Sequence, residues 1–202
     1  MRILAILQAR SSSNRLPNKV LKPILGRAMI LRQLERLKLC DRLDKLVIAT
    51  SIDSSDNELE SLLKKENYSV YRGSLHNVLD RYYKAALHYK ADHVIRLTGD
   101  CPLIDPQLID QVIEMHLFKG ADYTSNCFPA TYPDGLDVEV ARFSSLEKAW
   151  KCAKLPSEIE HVTPYIKNHP ELFNNYNLEY EKDLSNHRWT VDEPEDFKFV
   201  EQ

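Results

Sequence analysis

The feature that most restricts this fold is the alternation of short apolar runs with amphipathic stretches through the first 120 residues. Residues 3–7, 46–49, 70–71 and 93–97 are short, apolar and bounded by polar residues, and they read as buried strands. Between them lie helix patterns. Asp53 or Ser54 can cap a segment reaching about Glu66, with Leu59, Leu62 and Leu63 on one face. Residues 76–89 read as a second helix. Asp105 caps a third, Pro106 takes its first position, and Gly120 ends it after Lys119. Strand–helix repetition of this kind predicts a mainly parallel sheet covered by helices, an α/β fold in three layers. In such sheets ligands gather at the carboxyl ends of the strands.

Beyond Gly120 the pattern changes. Short strands are expected at 121–126 and 136–140, flanking a loop rich in aromatic and turn residues over 128–135. Ser144 and Glu147 have the spacing of a capping box for a helix through Ala153. A helical segment over 157–167 contains Pro164, which kinks it or ends it early. Residues 173–180 and 187–191 read as strands, and Pro194 opens a last helix whose Phe197 and Val200 want a partner surface. One domain over 1–202 is expected, with a nucleotide-binding half over 1–120, a small mixed subdomain over 121–192, and a short helix beginning at 193–202.

The loop after the first strand carries the strongest chemical signal. Gln8-Ala9-Arg10-Ser11-Ser12-Ser13-Asn14-Arg15-Leu16-Pro17-Asn18-Lys19 places three cations within ten positions of small polar residues. Asn18 is among the few non-glycine types that tolerate positive φ. Such a loop at a strand end is an anion cradle, with Arg10, Arg15 and Lys19 matched to the phosphates of a nucleoside triphosphate. A solvated basic turn is the alternative, and it fits Arg15 best. Asp100, after Thr98-Gly99 at another strand end, is a carboxylate able to reach into the same cleft. Mg²⁺ needs only one or two such ligands. An ordinary turn carboxylate is its bland alternative.

Composition excludes other partners. The formal net charge is −3, so no overall field favours nucleic acid or an anionic membrane. No apolar stretch approaches the ~20 residues needed to span a bilayer, and no signal-peptide core precedes a small-residue cleavage site. Cytoplasmic residence is the expectation. The four cysteines, Cys40, Cys101, Cys127 and Cys152, show no metal-ligand spacing and are expected to be reduced.

Seven blocks in order carry a resemblance. They are the Gln8–Leu21 loop, Arg72-Gly73-Ser74, Val78-Leu79-Asp80-Arg81-Tyr82, Arg96-Leu97-Thr98-Gly99-Asp100-Cys101-Pro102-Leu103-Ile104-Asp105, Tyr132-Pro133-Asp134-Gly135-Leu136-Asp137-Val138-Glu139, Glu160-His161-Val162-Thr163-Pro164-Tyr165 and Arg188-Trp189-Thr190-Val191-Asp192. Together they resemble the cytidylyltransferases that activate acidic sugars, in the branch named for spore coat polysaccharide biosynthesis protein F. Asn18 departs from the pattern, where glycine is usual.

The resemblance implies a nucleotide-diphospho-sugar transferase-like (GT-A-like) fold and Mg²⁺-dependent transfer of CMP from CTP to an acidic sugar, with release of pyrophosphate, in surface polysaccharide or glycan biosynthesis. It implies that Asp100 and Asp192 bind the metal, though Asp192 equally suits a helix cap. Gln8, Ala9, Arg10, Ser13, Arg15 and Lys19 would hold the nucleotide, and Arg72, Gly73, Ser74, Asp80 and Arg81 its base and ribose. Tyr123, Asn126, Tyr132, Asp134, Glu139 and His161 would face the acceptor, although a structural histidine on a helix face fits His161 as well. It further implies a tail continuing past Gln202 and a homodimer built through the subdomain. Three rivals remain. A glycosyltransferase would want a second carboxylate where Asp100-Cys101-Pro102 has proline; the others are a GTP- or UTP-dependent sugar-phosphate nucleotidyltransferase and an inert nucleotide-binding module.

Overall fold

The computed structural model describes residues 1–202. Strand β1 (Ile3–Gln8) leads through the polar loop and a single 3₁₀ turn to a hairpin, β2 (Pro23–Ile24) and β3 (Arg27–Ala28), and then to helix α1 (Met29–Leu37). Next come β4 (Lys45–Ser51), α2 (Asn57–Lys65), β5 (Ser69–Gly73), α3 (Val78–His88), β6 (His93–Thr98) and α4 (Pro106–Lys119). The second half supplies β7 (Tyr123–Ser125), β8 (Glu139–Arg142), α5 (Phe143–Cys152), α6 (Pro156–His161), α7 (Pro164–Lys167), β9 (Asn175–Asn177) and α8 (Pro194–Glu201).

Seven strands form one sheet in the order β5-β4-β1-β6-β8-β7-β9. β1 lies parallel between β4 and β6, and β5 extends the parallel half. β8 enters antiparallel beside β6. The fold is therefore α/β with a mainly parallel sheet, as the alternation predicts. Residues 3–7 of β1 are at most 5% exposed, and burial of each such aliphatic side chain contributes roughly 1.5–3 kcal/mol. Pleat alternation sends Ile3, Ala5 and Leu7 to one face, against α1, α2 and α4, and Leu4 and Ile6 to the other, against α3, α5 and α7.

Local chemistry explains most boundaries. The Asp105 carboxylate accepts from the backbone N–H groups of Gln107 and Leu108, Pro106 opens α4, and Gly120 ends it at φ 58°. Asp53 caps a short 3₁₀ turn that leads into α2. Val162 at φ 73° breaks the chain between α6 and α7, just ahead of Pro164.

Several expectations are corrected. The hairpin and α1 were not foreseen; their signals are the Leu25-Gly26 turn, both residues at positive φ, and the spacing of Ile30, Leu34 and Leu37. Ser144 and Glu147 form no capping box, because β8 runs straight into α5 with Arg142 at the cap position. The strand expected at 136–140 begins three residues later, since Asn126 holds Leu136 and Val138 through both sides of its amide. Residues 187–191 are not a strand. Their backbone spends its hydrogen bonds on Asp134 and Asp100 instead. Phe197 and Val200 find their partner surface on the α1 side of the core.

Candidate active site

The three central strand ends set the site. Gln8 pairs with Ala49 on one side and Thr98 on the other. Gly99 N–H donates to Gln8 O at 2.7 Å. A Cβ on Gly99 would stand 2.9 Å from the Ala9 Cβ and 3.0 Å from Gln8 O, so only glycine lets the two loops close this tightly. The Arg10 loop is anchored from below by Asp56. This fully buried carboxylate accepts from Ser11 N at 2.7 Å and from Ser51 N at 3.0 Å. Burial raises its pKa, but these donors outweigh it and hold it below the usual carboxylate range. Asn18 takes φ 57° and its N–H donates to Ser11 O, closing the loop in the left-handed turn its residue type allows.

That turn delivers Lys19 to the centre. Its ammonium donates to Asp192 Oδ1 at 2.9 Å, to Asp100 Oδ2 at 3.2 Å and to Val191 O at 2.7 Å, with the side chain only 10% exposed. The 190–192 segment is fastened to the Asp100 loop by Val191 N donating to Asp100 O. Asp192 also accepts from Arg15 at 2.8 Å and from Arg188 at 2.9 Å. Burial pushes the Asp192 carboxyl up, but Lys19, Arg188 and Arg15 together hold it below its ordinary value. Capping of α8 falls to others: Asp196 accepts from the N–H groups of Asp192 and Glu193.

Above this cluster opens a cavity of about 310 Å³, and only two of its fifteen lining residues are hydrophobic. Gln8, Ala9, Arg10, Ser13, Arg15, Lys19, Asp100, Asp192 and His161 all line it. Such a wall suits a polyanionic, polyhydroxylic ligand rather than an apolar one. Glu160, expected to work beside His161, also lines it, as do Asn14, Arg96 and Thr98, which were not assigned a role from the sequence. Arg96 was hidden as one residue of an apolar strand.

Other expected site residues lie elsewhere. Arg72 donates to Ser51 O, Asp53 O, Asn57 and Glu60, bracing the edge strand β5 against α2. With Gly73, Ser74 and Asp80 it borders a separate open depression. Asp80 is paired with Lys84 and accepts from Trp150. Arg81 is fully buried, gives one hydrogen bond to Ser74 O, and leaves Nε and one Nη without partners. Tyr123 and Asn126 are at most 2% exposed; Tyr123 donates to Glu139 and Asn126 braces backbone. Glu139 is buried behind Arg96, accepting from it as well as from Tyr123 and Thr163. Tyr132 leans on Tyr180, and Asp134 is paired with Arg188. Burial and the neighbouring carboxylates raise Asp134 above its usual value in spite of that arginine. Cys101 is buried and its thiol is pushed well up by burial, so it is no nucleophile.

The geometry agrees with comparison to known proteins. A family model described as cytidylyltransferase matches residues 4–201. The chain belongs to the cytidylyltransferase family. It is 38% identical over 206 residues to spore coat polysaccharide biosynthesis protein SpsF of Bacillus subtilis, covering 98% of this chain and 84% of that one. It is 33% identical over 141 residues to the mitochondrial 3-deoxy-manno-octulosonate cytidylyltransferase of Arabidopsis thaliana, covering 67% of this chain and 47% of that one. A solved cytidylyltransferase of Leptospira borgpetersenii superposes with a TM-score of 0.95 at 35% identity, covering 100% of this chain and 85% of the other. As a cytidylyltransferase the protein is a nucleotidyl-transferring enzyme, which removes the glycosyltransferase alternative.

The acidic pair of this cytidylyltransferase fits a hard divalent cation. Asp100 Oδ1 makes only a 3.5 Å contact with the Cys101 thiol, leaving a carboxylate oxygen free. At Asp192 the exposed Arg15 is the ligand most easily displaced. No group of three or more His, Cys, Asp or Glu side chains gathers to cage a metal. Two carboxylates beside phosphate oxygens is the arrangement Mg²⁺ accepts and a zinc cage is not. No helix is long and apolar enough to cross a membrane.

Proposed function

We propose that this cytidylyltransferase transfers CMP from CTP to the hydroxyl of a sugar acid, with Mg²⁺ held by Asp100 and Asp192, and releases pyrophosphate. The observation that carries the reading is Lys19 standing between those two carboxylates at the mouth of the Arg10 loop. The acceptor hydroxyl oxygen attacks the α-phosphorus and gives up its proton to solvent while the bond to the β-phosphate breaks and pyrophosphate leaves. Arg10 and Lys19 stabilise the charge that grows on the leaving pyrophosphate, arginine through its fork and lysine as a point charge. Arg15, more than half exposed, can move from Asp192 to the γ-phosphate side. A bound Mg²⁺ supplies charge neutralisation across the phosphate oxygens. His161, on the far rim with Glu160, is assigned to the acceptor side.

A sugar acid as acceptor is supported by the activity for which the Arabidopsis relative is named, and glycan synthesis by the name of the Bacillus one. The reading is tested by following pyrophosphate from CTP, GTP, UTP and ATP with Mg²⁺ and a panel of sugar acids and sugar phosphates. Release is expected from CTP with a sugar acid. Asp100→Asn should lower kcat by at least about 10²-fold, the scale of losing one transition-state electrostatic contact, with an unchanged circular dichroism spectrum. Undiminished turnover in that variant removes Asp100 from the mechanism.

A further inference from the structure

Arg96 is a cation of the cleft to which the proposed function assigns no phosphate. It sits on β6 with Ile6 of β1 and Glu139 of β8 as its register partners. Ile95 and Leu97 face the core cluster that holds Val20 and Val191, whereas Val94 faces the opposite cluster. Pleat alternation therefore directs Arg96 away from the side of the sheet carrying Lys19 and Asp192, towards α6 and α7. Glu160 and His161 line the cavity on that side, and β8 lies two strands from β1, opposite to the β5 edge.

The guanidinium is held but not satisfied. Its side chain is 17% exposed, one Nη donates to Glu139 Oε2, and its Nε has no partner. Glu139, only 4% exposed, is itself fixed: Tyr123 and Thr163 donate to its Oε1 at 2.5 Å each, and Lys167 stands 3.8 Å away. Two cations thus share one carboxylate. Arg96 is locked in orientation by Glu139 and stands part-exposed at the wall of a polar cavity. Asp137 is near enough to interact with both Arg96 and Glu139, and burial, with Asp134 and Glu139, pushes its carboxyl up to about 6.

We propose that Arg96 binds the carboxylate of the acceptor sugar and so determines that the substrate is an acid, with Glu139 as its positioning residue. The inference rests on the sugar-acid reading above and adds the residue that enforces it. A planar guanidinium fork matches the two oxygens of a carboxylate.

The test compares a sugar acid, its methyl ester and the matching sugar 1-phosphate, by pyrophosphate release with CTP and Mg²⁺ and by calorimetric titration. Arg96→Lys keeps the charge and loses the fork. The double variant Arg96→Gln with Glu139→Gln avoids stranding a buried carboxylate. Thermal melting establishes that each is folded. Losing charged hydrogen bonds should raise the KM for the acid roughly 10- to 100-fold and cut its preference over the ester to within about fivefold, with the KM for CTP held within about twofold. Folded variants that keep the preference overturn the assignment, as does a parallel rise in both KM values, which would place Arg96 on the donor. A wild-type enzyme that accepts ester or sugar phosphate as well as the acid overturns both readings. Acid binding that depends on Arg96, in a protein that releases no pyrophosphate, would sink the transfer reading and leave this one standing.

Discussion

Lys19 Nζ lies 2.9 Å from Asp192 Oδ1 although 173 residues separate them. The contact closes the cleft between the first loop and the last segment before α8, and Asp100 completes it from the third strand end. A mostly buried ammonium between two carboxylates is neutralised by them, and on the proposed function it turns to phosphate when the nucleotide arrives.

Lys19→Ala removes the shared cation and leaves Asp100 and Asp192 facing each other. CTP affinity should fall by about 10²-fold while CMP affinity changes by less than about fivefold, since the lost charge serves the leaving phosphates. Calorimetric titration of both nucleotides reads this directly. Equal losses for the two would place Lys19 elsewhere along the nucleotide.

Gly135→Ala is expected to damage the metal side of the cleft from a distance. Gly135 has φ 107°, and a Cβ there would stand 2.6 Å from Thr190 N and 2.7 Å from Trp189 C. Those are backbone atoms that cannot yield without moving Asp192. Strain and steric conflict together should cost about 2–4 kcal/mol in urea unfolding, and the Mg²⁺ concentration for half-maximal turnover should rise. An unaltered variant would mean that 189–192 is not fixed by this contact.

Asp137→Asn gives a pH-dependent gain in stability. Burial, Asp134 and Glu139 push the Asp137 carboxyl up to about 6, against Arg96. A raised folded-state pKa means that the protonated carboxyl is favoured in the fold, so its contribution is complete below the unfolded value near 4 and is lost as pH rises through about 6. The variant should therefore be more stable than wild type by about 2–3 kcal/mol at pH 8 and by less than about 1 kcal/mol at pH 4. Denaturant titrations at the two pH values decide it. A constant difference across the range would contradict the assignment.

The parallel half was legible because its strands are buried on both faces and its helices carry caps that can be read singly, such as Asp105-Pro106 and Gly120. The loop cations and Asp100 were legible for a related reason, since charge placed at a strand end has few structural uses, whereas Asp192 was singled out by the resemblance alone. The second half was harder. Its strands are three or four residues long, and residues 187–191 look like a strand but bond to turns. Arg96 was missed because an isolated arginine within an apolar run resembles an edge residue until β8 places Glu139 opposite it. Arg72 and Glu139 show the reverse limit, since their residue types suggest ligand contact while their partners are other side chains.

The fastening of Val191 to Asp100 has a consequence for biosynthesis. All seven strands have left the ribosome once Asn177 is clear, yet one jaw of the acidic pair is still to come. A nascent chain at that stage owns a nearly finished scaffold whose Lys19 has only Asp100 to answer it. The second carboxylate facing Lys19 thus arrives only after the sheet is complete, within the fifteen residues that follow Asn177.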